Sequence, residues 1–113
     1  MTLKQITSRV HVEVAHLGSN NSIIVGDDGL ILVDSPHRPT DAIRWNQTVR
    51  QLGAPRFIVN TDHHPDHTIG NFWIEGAEVV SHRGTRERLL TDAPTDEYLR
   101  DLFARIDPEA VPW

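Results

Sequence analysis

Six consecutive residues, Asp62-His63-His64-Pro65-Asp66-His67, bring three imidazoles and two carboxylates into one short loop. Donors at that density suit a divalent metal ion, which can polarise an ester and turn water into a nucleophile. The chain has no cysteine, so the donors are nitrogen and oxygen, a set that fits zinc, manganese or iron. Side chains alternate along an extended chain, so Asp62, His64 and Asp66 are expected to converge while His63 points elsewhere. Pro65 fixes its own φ and pushes His64 toward extended geometry. Asp66 is placed to cap a short helix through Thr68 to Ile74, with His67 in its first turn. Asp62, His64, Asp66 and His67 are then four ligands for one metal, or for two. The competing interpretation is a solvated turn, against which three histidines and two aspartates directly after an apolar strand weigh heavily.

The other candidates are weaker. His11 falls on the polar phase of a strand and is expected to face solvent. His16 precedes the loop without matching a ligand position, and His37 lies in a segment able to approach the site. His82 ends a later strand and reads as structural or pocket-lining. Trp45 falls on the apolar face of a helix and reads as core. Phe72 and Trp73 follow the loop and either pack beneath it or line a pocket. Glu87 between Arg86 and Arg88 is a solvated helix face.

The elements that must position the loop follow from the hydrophobic pattern. Val10 to His16 alternates as a half-buried strand. Asn21 to Val25 and Leu30 to Asp34 are two β-rich runs joined by Gly26-Asp27-Asp28-Gly29, four residues suited to the positive φ angles of a tight hairpin. Thr40 is placed to cap a helix to Leu52, with Ala42, Ile43, Trp45, Val49 and Leu52 on its apolar face and Gly53 and Pro55 stopping it. Arg56 to Thr61 is a short buried strand and Glu78 to His82 another. A helix through Leu90 and a last one from Asp96 to Ile106 complete the chain. If Leu30–Asp34 and Arg56–Thr61 are parallel neighbours, their carboxyl ends share an edge and Asp34 lies close to Asp62.

Length and composition set the bounds. The 113 residues suffice for one small domain, spanning 1–113, and 38% of them are hydrophobic. Eleven basic against sixteen acidic residues give a net charge of −5 without a basic block, which disfavours a nucleic-acid partner. Met1 to Arg9 lacks the apolar core of a signal peptide, and no run reaches the ~20 apolar residues of a membrane span. The expectation is a soluble cytoplasmic protein acting on a small-molecule substrate, with no membrane partner.

The stretch from Asn60 through Asp62-His63-His64-Pro65-Asp66-His67 to Gly70-Asn71 resembles the metal motif His-x-His-x-Asp-His of the metallo-β-lactamase-fold hydrolases. Gly18 to Val25 and Leu30 to Ser35 resemble that family's first hairpin with its recurrent Asp. Gly76 to His82 with Thr85-Arg86 resembles the strand and helix that follow the motif. The resemblance covers roughly residues 6 to 90. It implies an α/β fold, the N-terminal half of an αββα sandwich, with a mixed sheet and helices on one face. It implies that His64 binds a first metal and Asp66 and His67 a second, zinc above all, with iron or manganese as alternatives. Asp34 would orient the loop from behind, and Asp66 would position the metal-bound hydroxide that attacks an ester, thioester, amide or phosphoester.

Two departures bear on that picture. Asp62 stands where the family has its first histidine, giving a harder ligand with an added negative charge. The family's remaining ligands come from its second half, which has no counterpart here. The chain therefore reads as a partial domain, weakly active or inactive alone, with a sheet face open to self-association. Two other functions remain in view. One is a manganese phosphoesterase of the DHH type, since Asp62-His63-His64 spells that motif, with Asp27 and Asp28 a poor substitute for its upstream acidic pair. The other is a non-enzymatic metal-binding module with a degenerate site.

Overall fold

The structure, a computed structural model, describes residues 3–110. Six strands form one sheet in sequence order: β1 (Lys4–Gln5), β2 (Val10–Glu13), β3 (Asn21–Gly26), β4 (Gly29–Val33), β5 (Pro55–Asn60) and β6 (Glu78–Ser81). The first four pair antiparallel, and β4, β5 and β6 pair parallel, so the sheet is mixed. The helices are α1 (Pro39–Leu52), α2 (Pro65–Thr68), α3 (Arg83–Thr91) and α4 (Asp96–Ile106), with 3-10 turns at Ile69–Trp73 and Pro108–Ala110. The α/β architecture read from the sequence is therefore present, with one strand, β1, that its short polar sequence did not announce. No helix of the described residues is long and apolar enough to cross a membrane.

The helix α1 carries the chain from β4 back to parallel β5 and lays one stripe on the sheet. Ala42, Trp45 and Val49 are fully buried there against Ile23, Leu30, Leu32 and Ile58, and Ile74 closes the cluster. Ile43 and Leu52, expected on the same stripe, are exposed. The start of α1 also differs from expectation. Pro39 opens the helix, where its missing N–H costs nothing. Thr40 lies inside the first turn, and its N–H and hydroxyl both donate to the Asp107 carboxylate beyond α4. That contact ties the last helix to the first.

The phase of β2 is inverted relative to its hydrophobic pattern. His11 pairs with Ile23, and Glu13, fully buried, pairs with Asn21, so both share the helix-covered face. Val14 is exposed instead, because the Glu13 carboxylate accepts the Ala15 N–H and turns the chain out of the sheet. Val10 and Val12 look to the opposite face, beside Ile24 and Ser22. In the β3–β4 hairpin the positive φ sits on Gly29 alone, at 133°, and Asp27 and Asp28 keep ordinary angles.

Candidate metal site

The carboxyl ends of β4 and β5 meet at one edge, and the loop after β5 is anchored there. Asp34 follows β4 in a left-handed conformation, φ 60°, rare outside glycine and tolerated by a short polar side chain. Its N–H donates to Val59 O at 2.8 Å, which holds the turn against β5. Its carboxylate, 4% exposed, accepts from Thr61 N at 2.8 Å, from Thr61 Oγ1 at 2.6 Å and from His67 Nδ1 at 2.8 Å. Asp34 thus reaches the loop through Thr61 and His67, the outcome of the strand-end geometry.

A carboxylate only accepts, so the His67 proton resides on Nδ1 and Nε2 keeps its lone pair. Nε2 lies 3.5 Å from Asp66 Oδ2. Two donors each about 2.1 Å from a tetrahedral ion stand roughly 3.4 Å apart, so this pair has the spacing of a shared cation. Burial works against a charged His67, yet the hydrogen bond and charge of Asp34, aided by Asp66 and Asp62, prevail and raise its pKa above the ordinary value.

The loop backbone is held from three other segments. His67 O accepts from Ser35 N at 3.0 Å, from Ser35 Oγ at 3.1 Å and from Asn60 Nδ2 at 3.0 Å. Asn71 Nδ2 donates to Asn60 Oδ1 at 2.7 Å, and Ser35 Oγ also lies 2.8 Å from Asn71 Oδ1. Ser19 Oγ donates to Asp66 O at 2.6 Å. A Cβ built on Gly70 would stand 2.6 Å from Pro36 O, so only glycine permits the turn to pass that close. One built on Gly18 would meet the Asp66 and His37 Cβ atoms at 2.9 and 3.1 Å, which places His37 near Asp66.

The first half of the loop departs from simple alternation. Asp62 Oδ1 accepts the His64 N–H at 2.9 Å, a local turn that cancels the extended phase. Asp62 and His64 do converge, with His64 Nδ1 at 2.6 Å from Asp62 Oδ1, but His63 joins them at 3.3 Å instead of pointing elsewhere. The two rings stack with centroids 4.3 Å apart, and the three residues form a compact donor group. The His64 N–H bond is also the main reason that Asp62 stays ionised to lower pH than an ordinary carboxyl, against a smaller opposing effect of desolvation. Asp66 sits in the first turn of α2 rather than capping it. His64 occupies the cap position without a side-chain bond, and Pro65 opens the helix.

The donor chemistry suits a metal: one imidazole nitrogen with a fixed tautomer beside one carboxylate, and a second group of two imidazoles and a carboxylate next to it. His63 and the Ser19, Ser35, Asn60 and Asn71 supports were absent from the residues singled out by sequence. Only their place beside Asp34 and within the motif stretch hinted at them. The remaining histidines have other surroundings. His16 packs edge-on to Trp45 and contacts Asn21 Oδ1 at 2.7 Å, and His82 caps α3 by accepting the Gly84 N–H. Asp27, on the hairpin turn, pairs with Arg9 at 3.0 Å.

A search of curated protein sequences found no match. Solved structures do resemble the chain. DIM-1 metallo-beta-lactamase aligns with a TM-score of 0.69 at 16% identity over 82% of this chain and 47% of that one. FIM-1 from Pseudomonas aeruginosa, in its mono-zinc form, aligns at 0.62 with 22% identity over 83% and 47%. A B3 metallo-beta-lactamase described as the first with an active-site glutamic acid aligns at 0.68 with 27% identity over 86% and 38%. The chain thus spans about half the length or less of each of these three structures and shares the fold of that part. Residues 15–112 match the family model of the metallo-beta-lactamase superfamily, and that match, over most of a chain with this sheet and this loop, makes the protein a member of the superfamily.

Proposed function

We propose that this chain carries the metal-binding half of a zinc-dependent hydrolase acting on an ester, thioester, amide or phosphoester. The observation that carries the reading is the arrangement around His67: Nδ1 on the buried Asp34 carboxylate, Nε2 turned toward Asp66. A buried acceptor behind a histidine is what fixes a metal-ligating ring and raises its basicity. His67 and Asp66 would hold one ion. Asp62 and His64, with His63 beside them, would hold a second, for which iron or manganese is an alternative given the harder carboxylate. An active-site glutamic acid in one of the similar structures supports a carboxylate as an acceptable component of such sites.

The bound metal would supply Lewis acidity and make water nucleophilic at neutral pH. Asp66 would orient the attacking water and accept its proton. The water oxygen bonds to the acyl carbon or phosphorus, the bond to the leaving group breaks, and the proton passes to that group. Thr61, Ser35 and Asn60 keep the loop from drifting. Among the described residues no other group of three or more His or acidic donors gathers, so slow turnover by the isolated chain is part of the proposal.

Metal content and calorimetric titration with zinc, manganese and iron(II) test the reading. Zinc uptake that falls by one ion per chain in His67→Ala and stays intact in His11→Ala is the expected result. A folded chain that takes up none of the three metals would end it.

A further inference from the structure

Two clefts flank α2 and share a wall. The first, about 540 Å³, opens between His63, His64 and Pro65 on one side and the α3–α4 connection with Tyr98 on the other. The second, about 440 Å³, is walled by Ile69, Phe72, Trp73, Leu89, Leu99 and Phe103. Thr68, Leu89, Ala93 and Pro94 line both, so the space runs on from His63 and His64 into an apolar trough. Each volume lies in the range of small-molecule sites, roughly 300–1,000 Å³.

The charges along this path cancel or are absent. Arg88 and Asp92, at the rim of the first cleft, pair with each other at 2.9 Å. No ionisable side chain lines the second. Its aromatic wall is continuous: Phe72 meets Trp73 edge-on at 5.2 Å, and Trp73 faces Phe103 at 6.4 Å. Phe72 is nonetheless 81% exposed, and α3 buries no residue, so Leu89 faces the clefts instead of a core. Apolar surface left facing water in a concave trough favours an apolar occupant.

Resting on the hydrolase reading above, we infer that the substrate bears an uncharged apolar group, alkyl or aryl, beside the bond that is cut, and that this trough takes it. The polar end of the cleft receives the reacting carbonyl or phosphoryl, and the Phe72–Trp73–Phe103 wall receives the apolar group.

Octanamide and acetamide are the probes, titrated into the 113-residue chain by calorimetry and by ¹H–¹⁵N spectra. Octanamide should bind at least ten-fold tighter, with shifts centred on 68–73 and 89–103. Leu99→Gln, in the trough and away from Val79 and Val80, should weaken octanamide several-fold and leave zinc affinity unchanged, with the fold checked by circular dichroism. Leu90→Gln, on the far side of α3 beside Val79 and Val80, should change neither. Equal binding of the two amides, shifts centred on Val79, Val80 and Leu90, or equal losses from the two substitutions overturns the inference. A zinc titration run alongside separates the two readings. A chain that takes zinc but ignores octanamide loses the apolar trough alone, and a folded chain that takes no metal loses the hydrolase.

Discussion

The side chain on which most depends at the residue scale is Asp34, because one buried carboxylate serves Thr61 and His67 together. Asp34→Asn keeps the shape but weakens the acceptor facing His67 Nδ1 and removes the charge. Metal affinity is expected to fall about 10–100-fold, the usual consequence of losing such a partner, with the circular dichroism spectrum retained. Calorimetry with zinc measures it, and unchanged affinity would remove Asp34 from the site. The same pair sets a pH dependence. Because the folded-state pKa of His67 is raised, its protonated form favours the metal-free fold at pH values below the unfolded value near 6.5. That contribution fades as pH climbs through the raised pKa. A metal needs the neutral ring, so zinc affinity should drop as pH falls below that same raised value, and Asp34→Asn should move the fall to lower pH. Asp62 runs the other way: its lowered pKa gives a contribution present above 3.8 and lost as pH falls through the folded value.

Elements were more legible than contacts. The hydrophobic periods located β3, β4, α1, β5, β6 and α4 within a residue or two, since each buries a face with a regular repeat. They could not foresee which face of β2 met the helices, because Glu13 is buried through hydrogen bonds that a hydrophobic pattern does not register. They also missed that Asp62 turns the chain onto itself, which gathers His63 beside His64. Side-chain-to-backbone bonds of that kind compete with extended geometry and leave no period. The 3-10 turn Ile69–Trp73 is a case where spacing alone is silent and packing decides. Gly70→Ala must push Ser35 and Pro36 away, the same segment that grips His67 O. A loss of about 1–3 kcal/mol in denaturant unfolding is expected, the cost of overpacking a tight site. Zinc affinity should fall with it, whereas Gly76→Ala, with open space around it but strained by a φ of 85°, should lower stability and leave affinity unaltered.

At the scale of the whole molecule the chain is a slab 21 Å thick, one sheet with helices on one side. The uncovered face carries two cross-strand rows. Val10, Ile24, Ile31 and Phe57 lie in one, and Val12, Ser22, Val33, Val59 and Val80 in the other. Ile24, Ile31, Val33, Phe57 and Val59 are only half-buried, and they sit on the central strands, where a second layer is the normal solution for an apolar sheet face. The chain covers 47% and 38% of two solved structures of this fold, and among the described residues no helix or strand covers that face. Contiguous apolar surface of this kind drives association. A second copy, face to face across the two rows, is the expected occupant for the 113-residue chain. Sedimentation velocity should show a concentration-dependent dimer. Ile31→Lys and Val12→Lys, on different strands of that face, should each yield a monomer with an unchanged circular dichroism spectrum and unchanged zinc uptake, since the metal loop hangs from the strand ends and not from the face. A wild-type chain that stays folded and monomeric at the concentrations used for NMR would show that these rows tolerate water and need no second layer.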